Sequence, residues 1–133
     1  MRPVPLAALG VAVAILLTAC APAQSTKQAC TIVTKDLSDA STSLNAAFAK
    51  VAGDPAGARS ALITFGKRMR ATDAKISDPA VKKPLERAIA AVDDLSAKMA
   101  KYVADKNTDP APLRTSATHL QTTFTALGER CSA

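Results

Sequence analysis

Tryptophan is absent from this 133-residue chain, and its aromatic side chains are Phe48, Phe65, Phe124 and Tyr102 alone. Scarce aromatics argue against a nucleic-acid partner despite a net charge of +6, because bases need stacking platforms beside the cations. Histidine is nearly absent too. His119, the one histidine, cannot build a zinc site or a catalytic triad by itself, and no Glu-x-x-His pair supplies di-iron ligands. Glycines Gly53 and Gly57 flank Asp54, but no Gly-Lys-Ser/Thr follows to cradle a phosphate. Asp93 and Asp94 are adjacent, so on a helix they diverge by about 100° and read as separate solvent-facing charges, not a paired acid and base. The hydroxyls of Thr115–Thr123, "TSATHLQTT", have no partnered base. These absences predict a non-enzyme with no catalytic residues, no metal and no cofactor.

Long apolar runs are missing as well. The longest, Val4 to Leu17, is about 14 residues, short of the roughly 20 needed to cross a bilayer. It follows a basic Arg2 and ends in small residues, the layout of a secretory signal. At its end, Leu17-Thr18-Ala19-Cys20 resembles the bacterial lipobox: an aliphatic residue, two small residues and a cysteine. That resemblance covers the leader only. It implies a diacylglyceryl group on the Cys20 thiol, cleavage before Cys20 and acylation of the new amine, with palmitate as a typical acyl chain. Two or more chains make attachment stable where one is marginal. The division expected is therefore a cleaved signal over 1–19, an acylated cysteine and flexible tether over 20–28, and a folded domain over 29–133.

Within that domain one tripeptide recurs as Asp54-Pro55-Ala56, Asp78-Pro79-Ala80 and Asp109-Pro110-Ala111. Aspartate caps the free amides of a first helical turn, and proline suits the first helical position, where its missing N–H is harmless. The triplets divide the chain into helices over about 27–52, 55–76, 79–106 and 110–131. Each carries apolar residues in alternating steps of three and four. In the first helix these are Cys30, Val33, Leu37, Ala40, Leu44, Ala47 and Val51, flanked by Phe48. The second carries Ala58, Leu62, Phe65, Met69, Thr72 and Ile76. The third has Val81, Leu85, Ala88, Val92, Leu95, Met99 and Tyr102, and the fourth Leu113, Ala117, Leu120, Phe124, Leu127 and Cys131. No segment alternates with the period of two that strands require. Short connections make successive helices antiparallel neighbours, so the expected fold is all-α, an up-down-up-down four-helix bundle. Pro84 marks either a kink in the third helix or its true start.

In that topology the start of the first helix and the end of the last share one end of the bundle. Cys30 holds the first inward position of the one and Cys131 the last inward position of the other, which predicts a Cys30–Cys131 disulfide. An exported domain permits it.

Nine residues separate Cys20 from Cys30, a flexible span of about 17 Å, so the disulfide end stays near the lipid. The connection between helices two and three shares that end. Lys67, Arg68 and Arg70 precede it, Lys75 lies in it, and Lys82, Lys83 and Arg87 follow, an expected contact for anionic headgroups. Lys27, Lys35 and Arg130 add to the same half. The reading places the protein on the extracytoplasmic face of the cell membrane, or of the outer membrane in a cell with two. It acts there as an accessory or interaction module for another envelope protein, with Tyr102 and the 104–114 loop available for contact. The alternative is a carrier of a lipid or small apolar ligand between the helices, for which a continuous apolar cavity above roughly 300 Å³ discriminates.

Overall fold

The computed structural model describes residues 23–133; Cys20, its lipobox and the leader expected over 1–19 lie outside the described residues. The described residues are all-helical. α1 spans Thr26–Phe48, α2 Pro55–Asp73, α3 Pro79–Ala104 and α4 Ala111–Ser132.

Local chemistry sets the starts. The Asp54 carboxylate accepts from the Gly57 amide at 2.8 Å, and Asp78 accepts from the Ala80 amide at 3.4 Å, with Pro55 and Pro79 opening α2 and α3. The third triplet is displaced by one residue. Asp109 accepts from the Ala111 amide at 3.0 Å, while Pro110, having no N–H and no capping side chain, becomes the residue that precedes α4. α3 starts at Pro79 and runs through Pro84, so the alternative start at Pro84 is discarded. The missing Pro84 N–H leaves the Ala80 carbonyl without its usual partner.

α1 begins inside the stretch expected as flexible tether. The cause is a capping box: Ser25 Oγ accepts from the Gln28 amide at 3.1 Å, and Gln28 Oε1 accepts from the Ser25 amide at 2.9 Å. One residue earlier, Gln24 clips the α2–α3 connection. Its Nε2 donates to the Lys75 carbonyl at 3.0 Å, and its Oε1 accepts from the amides of Ser77 at 2.9 Å and Asp78 at 3.2 Å. These bonds satisfy backbone groups that the five-residue connection cannot satisfy itself. The chain is therefore held from Gln24 onward, not from residue 29.

Packing follows chain order: α1 against α2, α2 against α3, α3 against α4, and α3 touches each of the others. The six stripe residues of α2 and its C-terminal extension are all buried, as are Val81, Leu85, Ala88, Val92, Leu95 and Met99 of α3. Fully burying such a leucine or methionine contributes about 1.5–3 kcal/mol. α2 and α3 meet closely at Gly66, where a Cβ would lie 3.1 Å from Val92 Cγ1. Buried hydroxyls are satisfied: Thr72 Oγ1 donates to the Arg68 carbonyl at 3.0 Å and Thr123 Oγ1 to the Leu120 carbonyl at 2.8 Å. The sulfurs of Cys30 and Cys131 lie at disulfide distance, 2.10 Å, and join residues 101 apart in sequence, from the second turn of α1 to the last turn of α4. Away from that link α1 and α4 barely meet.

Candidate functional site

The thin contact between α1 and α4 leaves a furrow along their seam. α4 is drawn to α3 on one side, where Ser116 is buried and its hydroxyl donates to Asp94 Oδ2. The apolar stripe of α4 is consequently only half covered: Leu127 is buried, Leu113, Leu120 and Phe124 are half-buried, and Ala117 is exposed. Leu44 and Phe48 of α1 face Leu120 and Phe124 of α4 across a depression of about 500 Å³, floored by Phe65 of α2 and Leu95 of α3. Phe65 and Phe124 pack ring against ring, 5.6 Å between centroids and tilted by 39°. This tilted contact ties α4 to α2 beneath the opening. Polar groups lie along the lining as Ser41, Asn45 and Gln121, and no charged side chain is among them.

The depression continues. A second one of about 280 Å³ shares Ser41 and Phe124 with it and runs past Leu37 and Val33 to Leu127 and Cys131. A third, about 770 Å³ and wide open, shares Thr34 and Cys131 with the second and contains Lys27, Lys35 and Arg130. The seam therefore passes from a basic mouth at the disulfide to an apolar trough at Phe48. The first and third of these volumes fall within the usual range for small-molecule sites, and the second lies just under it.

The seven cations expected to face headgroups are not brought together as one free cluster. Arg70 pairs with Asp93 of α3. Lys75 pairs with Asp36 of α1 at 2.6 Å, and Arg68 Nε donates to the Asp36 carbonyl at 3.1 Å. Lys82 bridges to Asp73 at 3.1 Å. Those four fasten helices to one another. Among the described residues, Lys67, Lys83 and Arg87 make no ion pair or side-chain hydrogen bond, and Lys83 and Arg87 line a depression of about 360 Å³ with Arg130 from α4. Sequence reasoning missed this redistribution because the acidic partners come from other helices. Cys30 and Cys131 meet, as the stripe positions predicted. His119 and the 109–112 segment are exposed, and Tyr102 is half-buried.

Asp93 and Asp94 diverge as their adjacency requires, but each has a partner. Asp93 faces α2 through Arg70; Asp94 takes Lys98 Nζ at 2.8 Å and the Ser116 hydroxyl of α4. The Lys98 hydrogen bond, helped by Ser116, holds the Asp94 carboxyl below the usual carboxylate range against the opposing effect of burial. The Lys75 hydrogen bond does the same for Asp36, opposed by burial and reinforced by Thr72 and the Arg68 charge. Both carboxyls are more acidic folded than unfolded, where aspartate titrates near about 3.9. Their contribution is present above that value and is lost as pH falls through the folded values. Urea unfolding should thus give a nearly flat stability from pH 7 to about 5 and a decline below about 4. In an Asp36→Asn, Asp94→Asn double variant that decline should be shallower; an identical acid limb in both proteins overturns the assignment.

Among the described residues no group of three or more His, Cys, Asp or Glu could hold a metal ion, and no helix is long and apolar enough to cross a membrane. The chain matches no known protein-family model, no curated protein and no solved structure.

Proposed function

We propose that this protein is a lipid-anchored, extracytoplasmic binding module that takes an apolar molecule into the seam between α1 and α4. The bundle is up-down-up-down, closed by the Cys30–Cys131 disulfide, and the diacylglyceryl group on Cys20 tethers it to the membrane. The observation that carries the binding reading is the trough of about 500 Å³ walled by Leu44, Phe48, Leu120 and Phe124. It exceeds the size that separates a ligand pocket from ordinary packing gaps. Binding of this kind needs no catalytic group, in keeping with a non-enzyme. The tether is supported by the lipobox alone; the clip at Gln24, four residues after Cys20, bears only on which end of the bundle such a tether holds. Four extended residues reach at most about 14 Å, so the α2–α3 end, with Lys83 and Arg87, faces the headgroups.

A second reading is an accessory module that receives a helix of another envelope protein. The feature favouring it is that the trough is open along one side, as helix-in-groove sites are.

Native mass spectrometry of the protein extracted gently from its own membrane tests both readings. The expected spectrum shows acyl mass on Cys20 and an additional non-covalent mass that disappears on denaturation and is missing from a Leu120→Glu variant. A co-purifying polypeptide in its place supports the second reading. An acylated protein with no extra mass overturns the ligand reading, and an unmodified Cys20 overturns the tether.

A further inference from the structure

The apolar trough and the cations at the disulfide are parts of one seam, and their order along it restricts what fits. From Leu37 to Phe48 the α1 wall of the trough runs about 17 Å at 1.5 Å per residue. An acyl chain spanning one leaflet covers about 15 Å, half of the roughly 30 Å hydrocarbon core. The trough is thus one acyl chain long. Its lining has no charged side chain, and its far wall is closed by Phe65 and Leu95. The charge lies at one end only. There Lys27 and Lys35 of α1 and Arg130 of α4 outnumber the Ala133 carboxylate around the opening, and no Asp or Glu side chain lines it. All three cations are exposed and, among the described residues, make no ion pair or side-chain hydrogen bond. Among the described residues Lys67, Lys83 and Arg87 are unpaired as well; what distinguishes Lys27, Lys35 and Arg130 is that they line one opening, at the end of the apolar seam.

We infer that the ligand is an anionic single-chain amphiphile, its acyl chain in the trough between Leu37 and Phe48 and its carboxylate or phosphate head against Lys27, Lys35 and Arg130. The inference rests on the trough being a ligand site and goes beyond it by assigning the head group and its place along the seam. Charge complementarity selects the anion. Thr34, on the same lining, supplies a hydroxyl donor beside the cations, whereas the Thr31 hydroxyl donates to the Lys27 carbonyl at 2.9 Å. The head lies at the end that carries Gln24 and the α2–α3 connection.

The test compares three probes with one chain length: dodecanoate, dodecanol and dodecylammonium, each displacing the fluorophore N-phenyl-1-naphthylamine from the intact acylated protein below micellar concentrations. Dodecanoate should bind about tenfold or more tighter than dodecanol, with dodecylammonium weakest, as charge-assisted hydrogen bonds to the head imply. A Lys27→Gln, Lys35→Gln, Arg130→Gln variant should lose the preference for dodecanoate and keep its affinity for dodecanol. Equal binding of all three probes overturns the head-group assignment and leaves the trough as a site for apolar chains. Displacement by none of them overturns the trough itself, and the inference with it. A preference that survives in the triple variant places the head elsewhere and also overturns the assignment.

Discussion

Replacing Cys30 and Cys131 together by serine should lower the free energy of unfolding by about 4–5 kcal/mol, read as a shift of the urea midpoint against the oxidised protein. The magnitude follows from the length of chain that the link closes: the two cysteines are 101 residues apart, so the disulfide restricts nearly the whole unfolded domain. Folded-state packing makes the loss sharper here than in a bundle whose first and last helices lie flush. α1 is held by α2 over its length and by α4 at little besides the disulfide. Reduction should therefore loosen α4 against α1 first, and amide exchange along α4 should rise before exchange along α2. A midpoint that barely moves on reduction would show that the thiols do not pair in solution.

Leu62→Ala should cost about 2–5 kcal/mol, whereas Leu120→Ala should cost under about 1 kcal/mol, both measured by chemical denaturation. Leu62 is completely buried at the centre of α2, so truncation leaves a void that rigid neighbours cannot fill. Leu120 borders space that is already open, and removing its methyls enlarges a trough without creating a sealed cavity. The pair separates two uses of the same residue type: Leu62 holds the domain together, and Leu120 shapes the seam. Equal losses at both sites would mean that the seam closes in solution and offers no site.

The sequence carried more of α2 and α3 than of α4. Every stripe residue assigned to α2 is buried, because α2 lies between α1 and α3 and its apolar face has partners on both sides. The same three-and-four spacing in α4 leaves Leu120 and Phe124 half-covered. Periodicity reports which face of a helix is apolar, but not how near the next helix comes. Ser116 and Thr123, which a hydropathy pattern leaves outside, are buried in place of Ala117. Their hydroxyls are satisfied by Asp94 and by the Leu120 carbonyl, so burial leaves no unpaired group. One local signal was present and passed over. Ser25-x-x-Gln28 is a capping box, and it places the start of α1 inside the stretch assigned to a tether.

Local rules act within a turn or two of the chain, and that is what the sequence determined: four amphipathic helices, the Asp-Pro starts of α2 and α3, and a cysteine on an inward position at each end of the domain. The partners of Arg70, Lys75 and Lys82, the clip from Gln24 to the α2–α3 connection and the gap between α1 and α4 came only with the tertiary structure. Each depends on where rigid helices settle against one another, and that is set by side-chain volume across the whole interface. Gly66 shows the scale of the effect: without a Cβ it admits Val92 and draws α3 onto α2. α4 follows α3 through Ser116 and Asp94, and the seam facing α1 stays open.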